Sequence, residues 1–290
     1  MHDERGAEIA ACSLWWDGLP AVDGRRPGFI GHFSAATEPA ALELLRRACR
    51  ALADRHCEVA VGPINGTTWH TYRLVTAGGD TPAFAMEPAN PPEWPEYFRA
   101  AGFGALARYH SFVTESLIVE DPRSWRSEAR LRALGFTIRS LDTSKIDQEL
   151  AAIHAVAVQA FAGAFLYQPI ELSPFLESIR PVLPLLVPDL VLIAERSGVV
   201  CGFLFAIPDP FSGTSCGAPD TVILKTVAVL PRRDHAGLGG WLSRQLHSRA
   251  AALGYRRVIH ALLHESNSSL NLHRAPCSLL REYTLFSKTL

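Results

Sequence analysis

The chain has 290 residues, 48% of them hydrophobic, and a formal charge of −1. That is enough apolar sequence for more than one packed core, and it excludes a disordered chain and any global pull toward nucleic acid or an anionic membrane surface. None of the six Cys stands in a C-x-x-C pair, no basic–apolar–small leader opens the sequence, and no apolar run reaches the roughly 18 residues of a membrane span, so a cytoplasmic protein with free thiols, no metal and no membrane partner is expected, as monomer or homodimer.

In chain order, Cys12 to Trp16 and Gly28 to Phe33 read as strands. Leu42, Leu45, Cys49 and Leu52 then share one helical face, bracketed by Thr37 and Asp54. Cys57 to Val61 is a strand. The segment 62–92 has no regular pattern and holds Asn65-Gly66, most simply a turn, and the cluster Trp69, His70, Tyr72 and Arg73. An aromatic group with one Arg suits an anionic or planar ligand, or else plugs an interface. Trp94 to Ala101 is helical and Leu106 to Val113 a strand, and a polar run at 115–135 marks a boundary, with 121–136 as linker.

The second half starts with Ile146, Leu150, Ile153, Ala157 and Phe161 at helical spacing, and a second helix follows Pro169. Leu190–Ala194 and Val199–Phe205 flank Arg196-Ser197-Gly198 as a hairpin. Thr221 to Leu230 is a strand, Leu238 to Leu253 a helix, Arg257 to Leu263 a strand, and Tyr283 to Phe286 a last one.

Between the strand at 221–230 and its helix stands Pro231-Arg-Arg-Asp-His-Ala-Gly-Leu-Gly-Gly240. Glycines at a helix start let backbone N–H groups approach a phosphate. Gly240 is followed by Trp241, so this is no P-loop. Position 242 is Leu, so the third Gly of a dinucleotide fingerprint is missing. Val229, Pro231, Gly237 and Gly239 fit the spacing of a coenzyme A loop.

On these residues, and on the order of elements over 137–290, the chain resembles the GNAT acetyltransferase superfamily. The first half looks like a second, altered copy: Asn90, Tyr97, Gly102-Phe103 and Tyr109 follow the family spacing, but Ser34-Ala-Ala-Thr37 runs straight into its helix with no glycine loop. Gly62 to Arg73, Glu87 to Pro91 and Arg281 to Phe286 resemble segments of bacterial tandem GNAT proteins. The resemblance implies an α/β (α+β) fold of two tandem GNAT-like domains, a degenerate one at 1–120 and one with the coenzyme loop at 137–290. Each would be a mixed, mostly antiparallel sheet flanked by helices.

It further implies acetyl-CoA, or another acyl-CoA, as cosubstrate. Val227, Ala228 and Val229 would pair with its pantetheine arm. Arg232, Arg233, His235, Ala236, Gly237, Leu238, Gly239 and Gly240 would surround its pyrophosphate, and Asn267 would contact it further on. Asp234 stands where the family prefers Gln or Arg, and its carboxylate repels pyrophosphate unless it turns away.

Four residues are candidates for proton transfer. Lys225 lies in an apolar strand, where a Lys is rare unless paired, for instance with Asp220. His264 and Glu265 end the following strand and suit a base, or simply a solvated loop. Tyr283 suits an acid, with an ordinary pKa near 10, or merely packs on the sheet. The segment from Asn267 to Tyr283 is three residues shorter than that from Asn90 to Tyr109, and Arg274 stands where the family's acid Tyr would fall. The expected function is N-acyl transfer from coenzyme A to a small-molecule or peptide amine. The alternatives are a catalytically weak acyl-CoA- or ligand-binding regulatory module and, last, a hydrolase, for which no G-x-S-x-G is present.

Overall fold

A computed structural model of the chain describes residues 1–2, 5–118, 122–213, 217–266 and 277–290. Among the described residues one sheet runs through both halves. Its strands are β1 (Ala10–Trp15), β2 (Pro27–Ala35), β3 (Val59–Gly62), β4 (Leu74–Ala77), β5 (Gly104–Thr114), β6 (Phe136–Ser140), β7 (Val191–Arg196), β8 (Val199–Pro208), β9 (Thr221–Val229), β10 (Arg257–His264) and β11 (Cys277–Thr289). Their order is β1-β2-β3-β11-β5-β10-β9-β8-β7-β6, with β4 also on β11. Only β2–β3 and β9–β10 are parallel; the other pairs are antiparallel. The mixed, mostly antiparallel sheet with flanking helices is thus as expected, but its halves interleave. The final strand β11 lies between β3 and β5, and β5 of the first half lies against β10 of the second.

Helix α1 (Glu38–Ala53) begins where Thr37 accepts from the Ala40 N–H, and Ala41, Leu45 and Leu52 bury one face against the first half of the sheet. Each such Leu contributes about 1.5–3 kcal/mol by leaving water. α2 (Trp94–Ala100) adds Phe98 to the same core. On the second half α4 (Ile146–Ala160), α5 (Leu172–Ile179) and α6 (Leu238–Ala252) bury Ile153, Phe175, Trp241 and Leu246 in a separate core. The β7–β8 hairpin turns at Ser197 and Gly198, both left-handed as a two-residue type I′ turn requires.

The segment expected to be a linker is α3 (Pro122–Ala133), followed by β6 on the edge of the sheet. Its polar composition belongs to a helix that is solvated on one side and held by charge on the other. Glu128 pairs with Arg132 one turn on and with Arg244 of α6. Within the irregular segment, β4 was likewise not evident from the sequence; it pairs with β11, far away in the chain.

Candidate active site

Strands β9 and β10 run parallel only over Thr221–Leu224 and Arg257–His260. Beyond that they part. Thr226–Val229 pair with β8 alone, while Leu263 and His264 turn to His110 and Tyr109 of β5. Among the described residues the backbone edge of β9 that faces away from β8 is therefore unpaired along a wedge. A bulge starts it: Phe205 opposes Thr226 and Ala206 opposes Leu224, so Lys225 is the extra residue.

The wedge leads to the glycine segment. Gly237 is the N-cap of α6 in a left-handed conformation, φ +85°, and no side chain caps the helix, so the first N–H groups of α6 are left to other partners. Arg232, Arg233, Ala236 and Gly237 are exposed, and Gly239 and Gly240 half-buried. Leu238 is buried in the core, so only its backbone can face a ligand. Asp234 does turn aside: its Oδ2 lies 2.6 Å from Arg196 Nη1 on the β7–β8 hairpin. From α3, Arg130 donates to the carbonyls of Asp234 and Ala236. His235 corrects the sequence expectation. It is buried, edge-on to Phe136 with Nδ1 3.1 Å from the Leu230 carbonyl, and packs the loop rather than facing phosphate. Asn267 and Arg274 lie outside the described residues.

At the mouth of the wedge the halves of the chain meet. Lys225 Nζ donates to the Met86 carbonyl at 3.0 Å, and not to Asp220, which pairs with Arg257. Desolvation, with the nearby Arg73 charge, lowers the Lys225 ammonium to about 8. His264 accepts the Ser266 N–H at Nδ1 (3.1 Å), which puts the neutral ring's proton on Nε2; that Nε2 is buried without a hydrogen-bond partner. Burial lowers its pKa, against the pull of Glu265 and with the help of the Arg73 charge. Glu265 is exposed, with Oε1 2.9 Å from the Arg108 N–H.

Tyr283 packs within the sheet, one of its two sequence readings. It is fully buried on β11, separated from β10 by β5. Its hydroxyl donates to Glu87 and meets Ser111 Oγ at 2.9 Å. Burial, then the Glu87 bond, pushes its pKa well above the ordinary value. It braces the seam and is not presented to the wedge. Glu87 itself is raised by burial despite Tyr283 and Arg281.

The residues that sequence reasoning left vague lie here too. Trp69 crosses into the second half, where Nε1 donates to the Gln168 carbonyl and the ring packs on Tyr167 and Phe175. Tyr72 and Arg73 stand against Tyr109, and Tyr109 edges His264 at 4.9 Å.

The corresponding wedge of the first half is closed by its own chain. β2 and β3 part after Phe29 and Val61, and Ile64 and Asn65 fill the gap: Ile64 N–H donates to the Ile30 carbonyl, and His32 N–H to Asn65 Oδ1 at 2.7 Å. A Cβ on Gly31 would lie 2.2 Å from the Ile64 carbonyl oxygen.

No protein-family model matches the chain, and no curated protein matches it by sequence. Solved structures do. Over 99% of its length the chain is similar to the GCN5-related glucosamine N-acetyltransferase region of a fungal multi-domain GH3 β-N-acetylglucosaminidase, with TM-score 0.56 and 12% identity; it spans 32% of that chain. It is similar over 99% of its length, and 79% of the other's, to a GCN5-related N-acetyltransferase from Sphaerobacter thermophilus, with TM-score 0.55 and 13% identity. A tandem GNAT protein from the clavulanic acid biosynthesis pathway matches with TM-score 0.52 and 12% identity, over 99% of this chain and 81% of that one. Over nearly its whole length the chain has the fold of GNAT acetyltransferases, a tandem GNAT protein among them.

Proposed function

We propose that the chain is an acyl-coenzyme-A-dependent N-acyltransferase acting on an amine at the mouth of the β9–β10 wedge, with 137–290 as the coenzyme-binding half and the first half shaping the acceptor side. The observation that carries this reading is the splay at Leu224 and His260, bulged at Lys225, which runs into the uncapped glycine start of α6.

The residues fit the cosubstrate. The free edge of Val227–Val229 suits an extended amide-bearing arm, and the α6 N-terminus suits pyrophosphate, with Arg232 and Arg233 exposed beside it. Acetyl-CoA, when bound, supplies a thioester carbonyl to an incoming amine. Lys225, neutral in part near pH 8, takes the proton that the acceptor ammonium must lose before attack. His264 Nε2–H is a neutral donor at the same seam, suited to an oxygen on which charge develops. The new C–N bond replaces the C–S bond; the leaving thiolate takes the proton held by Lys225, and the Lys225 amine so restored takes the second proton, which the nitrogen loses on becoming an amide, and passes it to solvent. Glu265 is the weaker base, because one oxygen is held by the Arg108 N–H.

A second reading is favoured by one observation. Tyr283, the candidate acid, is locked to Glu87 and Ser111. On that reading the chain binds acyl-CoA as a regulatory module and transfers poorly.

Calorimetric titration with acetyl-CoA, followed by thiol release against a panel of amines, separates these. Binding with turnover supports the transferase, and binding without turnover supports the regulatory module. No binding at about millimolar acetyl-CoA, weaker than roughly 4 kcal/mol, defeats both.

A further inference from the structure

Arg73 and Arg281 are almost equally buried, at 6% and 4% exposure, yet they are partnered in opposite ways. Arg281 has the Glu87 carboxylate 2.7 Å from Nε and donates to the carbonyls of Gly78, Thr81 and Pro82. Among the described residues Arg73 makes one side-chain hydrogen bond, from Nη1 to the Tyr72 hydroxyl at 2.9 Å. Its guanidinium otherwise lies over aromatic faces, 4.0 Å from the Tyr72 ring centroid and 4.2 Å from that of Tyr109, and among the described residues its buried Nε has neither a hydrogen-bond partner nor the carboxylate that faces Arg281 Nε.

The nearby carboxylates are committed elsewhere, Glu87 to Arg281 and Tyr283, and Glu265 to the Arg108 N–H. Among the described residues no carboxylate lies within ion-pair distance of Arg73. Aromatic faces return only part of what a guanidinium loses on leaving water, and the fork geometry of Arg matches a carboxylate in particular.

The surroundings point the same way. The charge of Arg73 is felt at Lys225 and at His264, the two groups at the wedge mouth. The two carboxylates felt at these groups, Glu87 and Glu265, are the ones already held by Arg281 and Tyr283 and by the Arg108 N–H. Arg73, at φ +67°, lies on Tyr72 and Tyr109, whose apolar cluster also holds two left-handed leucines, Leu166 at φ +54° and Leu262 at φ +62°. Such backbone is strained and gathers where a site must hold a fixed shape.

We infer that Arg73 is the anchor for a carboxylate carried by the acceptor beside its amine, so that the acceptor class is free amino acids. The amine half of this inference rests on the proposed acyl transfer; the carboxylate half does not.

The test is equilibrium binding to the full chain, by calorimetry with and without coenzyme A, of the proteinogenic L-amino acids, β-alanine and γ-aminobutyrate, each against its carboxamide. At least one free acid binds about ten-fold or more tightly than its carboxamide. Arg73→Gln abolishes the difference and Arg73→Lys keeps part of it, with coenzyme A affinity unchanged in both. Equal binding of acid and carboxamide, or no binding of any acid, overturns the inference. If Arg73→Gln does not fold, the comparison of acid with carboxamide in the unaltered chain still decides. Failure of coenzyme A to bind overturns the acyl-transfer reading and leaves the carboxylate result standing.

Discussion

Arg281 Nε lies 2.7 Å from the Glu87 carboxylate, and the two side chains are 4% and 1% exposed. The pair fastens the loop before α2 to β11, and so fastens the first half to the strand that the second half contributes. With Tyr283 and Ser111 it forms one buried hydrogen-bonded group on the seam. Removing one partner strands the other charge. Glu87→Leu or Arg281→Met alone is expected to lower unfolding free energy by about 3–5 kcal/mol, while the double substitution recovers a large part of it. Urea denaturation of the three variants measures this. Single variants within about 0.5 kcal/mol of the parent would mean that the pair does not join the halves.

Lys225 gives a prediction with a definite sign. Its ammonium falls from 10.5 to about 8 in the folded chain, chiefly through desolvation. Below about pH 8 the folded state carries the buried charge in full, and the destabilisation is complete. Between about 8 and 10.5 the unfolded chain binds more protons than the folded one, so stability rises with pH. Lys225→Met is expected to raise stability at pH 7 and to flatten this rise. Lys occurs only at 145, 225 and 288, so ¹³C reductive methylation gives few resonances to assign. One should titrate near 8, and acyl transfer should climb to a plateau through the same pH range. A Lys225 resonance that titrates at its ordinary value removes it as the base.

Much of this was legible in the sequence, for local reasons. α1 has its Thr37 cap and apolar face, the β7–β8 hairpin has Ser197-Gly198, and the glycine segment falls between a strand and a helix; each signal lies within a few residues. β6 was missed although Phe136-Thr-Ile-Arg alternates, because Gly135 and the polar run before it read as linker. β4 and the place of β11 could not be read. Both are decided by pairing between segments far apart in sequence, and nothing local distinguishes β11 beside β3 from β11 beside β10. The same long-range exchange is what removed Tyr283 from the wedge. Trp69, Tyr72 and Arg73 were recognisable as a cluster, but only the fold shows Trp69 crossing into the second half.

The closed wedge of the first half predicts a steric cost. Gly31 is extended, not left-handed, and its Cβ would meet the Ile64 carbonyl oxygen at 2.2 Å. That neighbour is backbone, pinned through the Ile64 N–H to the Ile30 carbonyl, so it cannot swing away. Gly31→Ala is expected to destabilise by about 1–3 kcal/mol or more, the range for overpacking. Thermal unfolding checks this, and an unchanged midpoint would show that the gap between β2 and β3 is open in solution.

The coenzyme loop carries the last prediction. Asp234 is 44% exposed and its partner Arg196 40% exposed, so their 2.6 Å contact is worth about 0–1 kcal/mol. Its role is to direct a carboxylate toward β7–β8 and away from the N–H groups of Gly237–Gly240. Asp234→Gln removes a negative charge near the proposed pyrophosphate position and frees Arg196, and affinity for acetyl-CoA should hold or rise a few-fold. Arg130 acts in the opposite sense, because its guanidinium binds the Asp234 and Ala236 carbonyls and so sets the turn into Gly237. Losing those charge-assisted bonds in Arg130→Ala should weaken acetyl-CoA binding about ten-fold, corresponding to roughly 1.5 kcal/mol. Calorimetric titration of both variants reads the two effects. If Arg130→Ala instead tightens binding, α3 is a cover over the loop and not its support, because loss of a support for the turn into Gly237 cannot produce that sign.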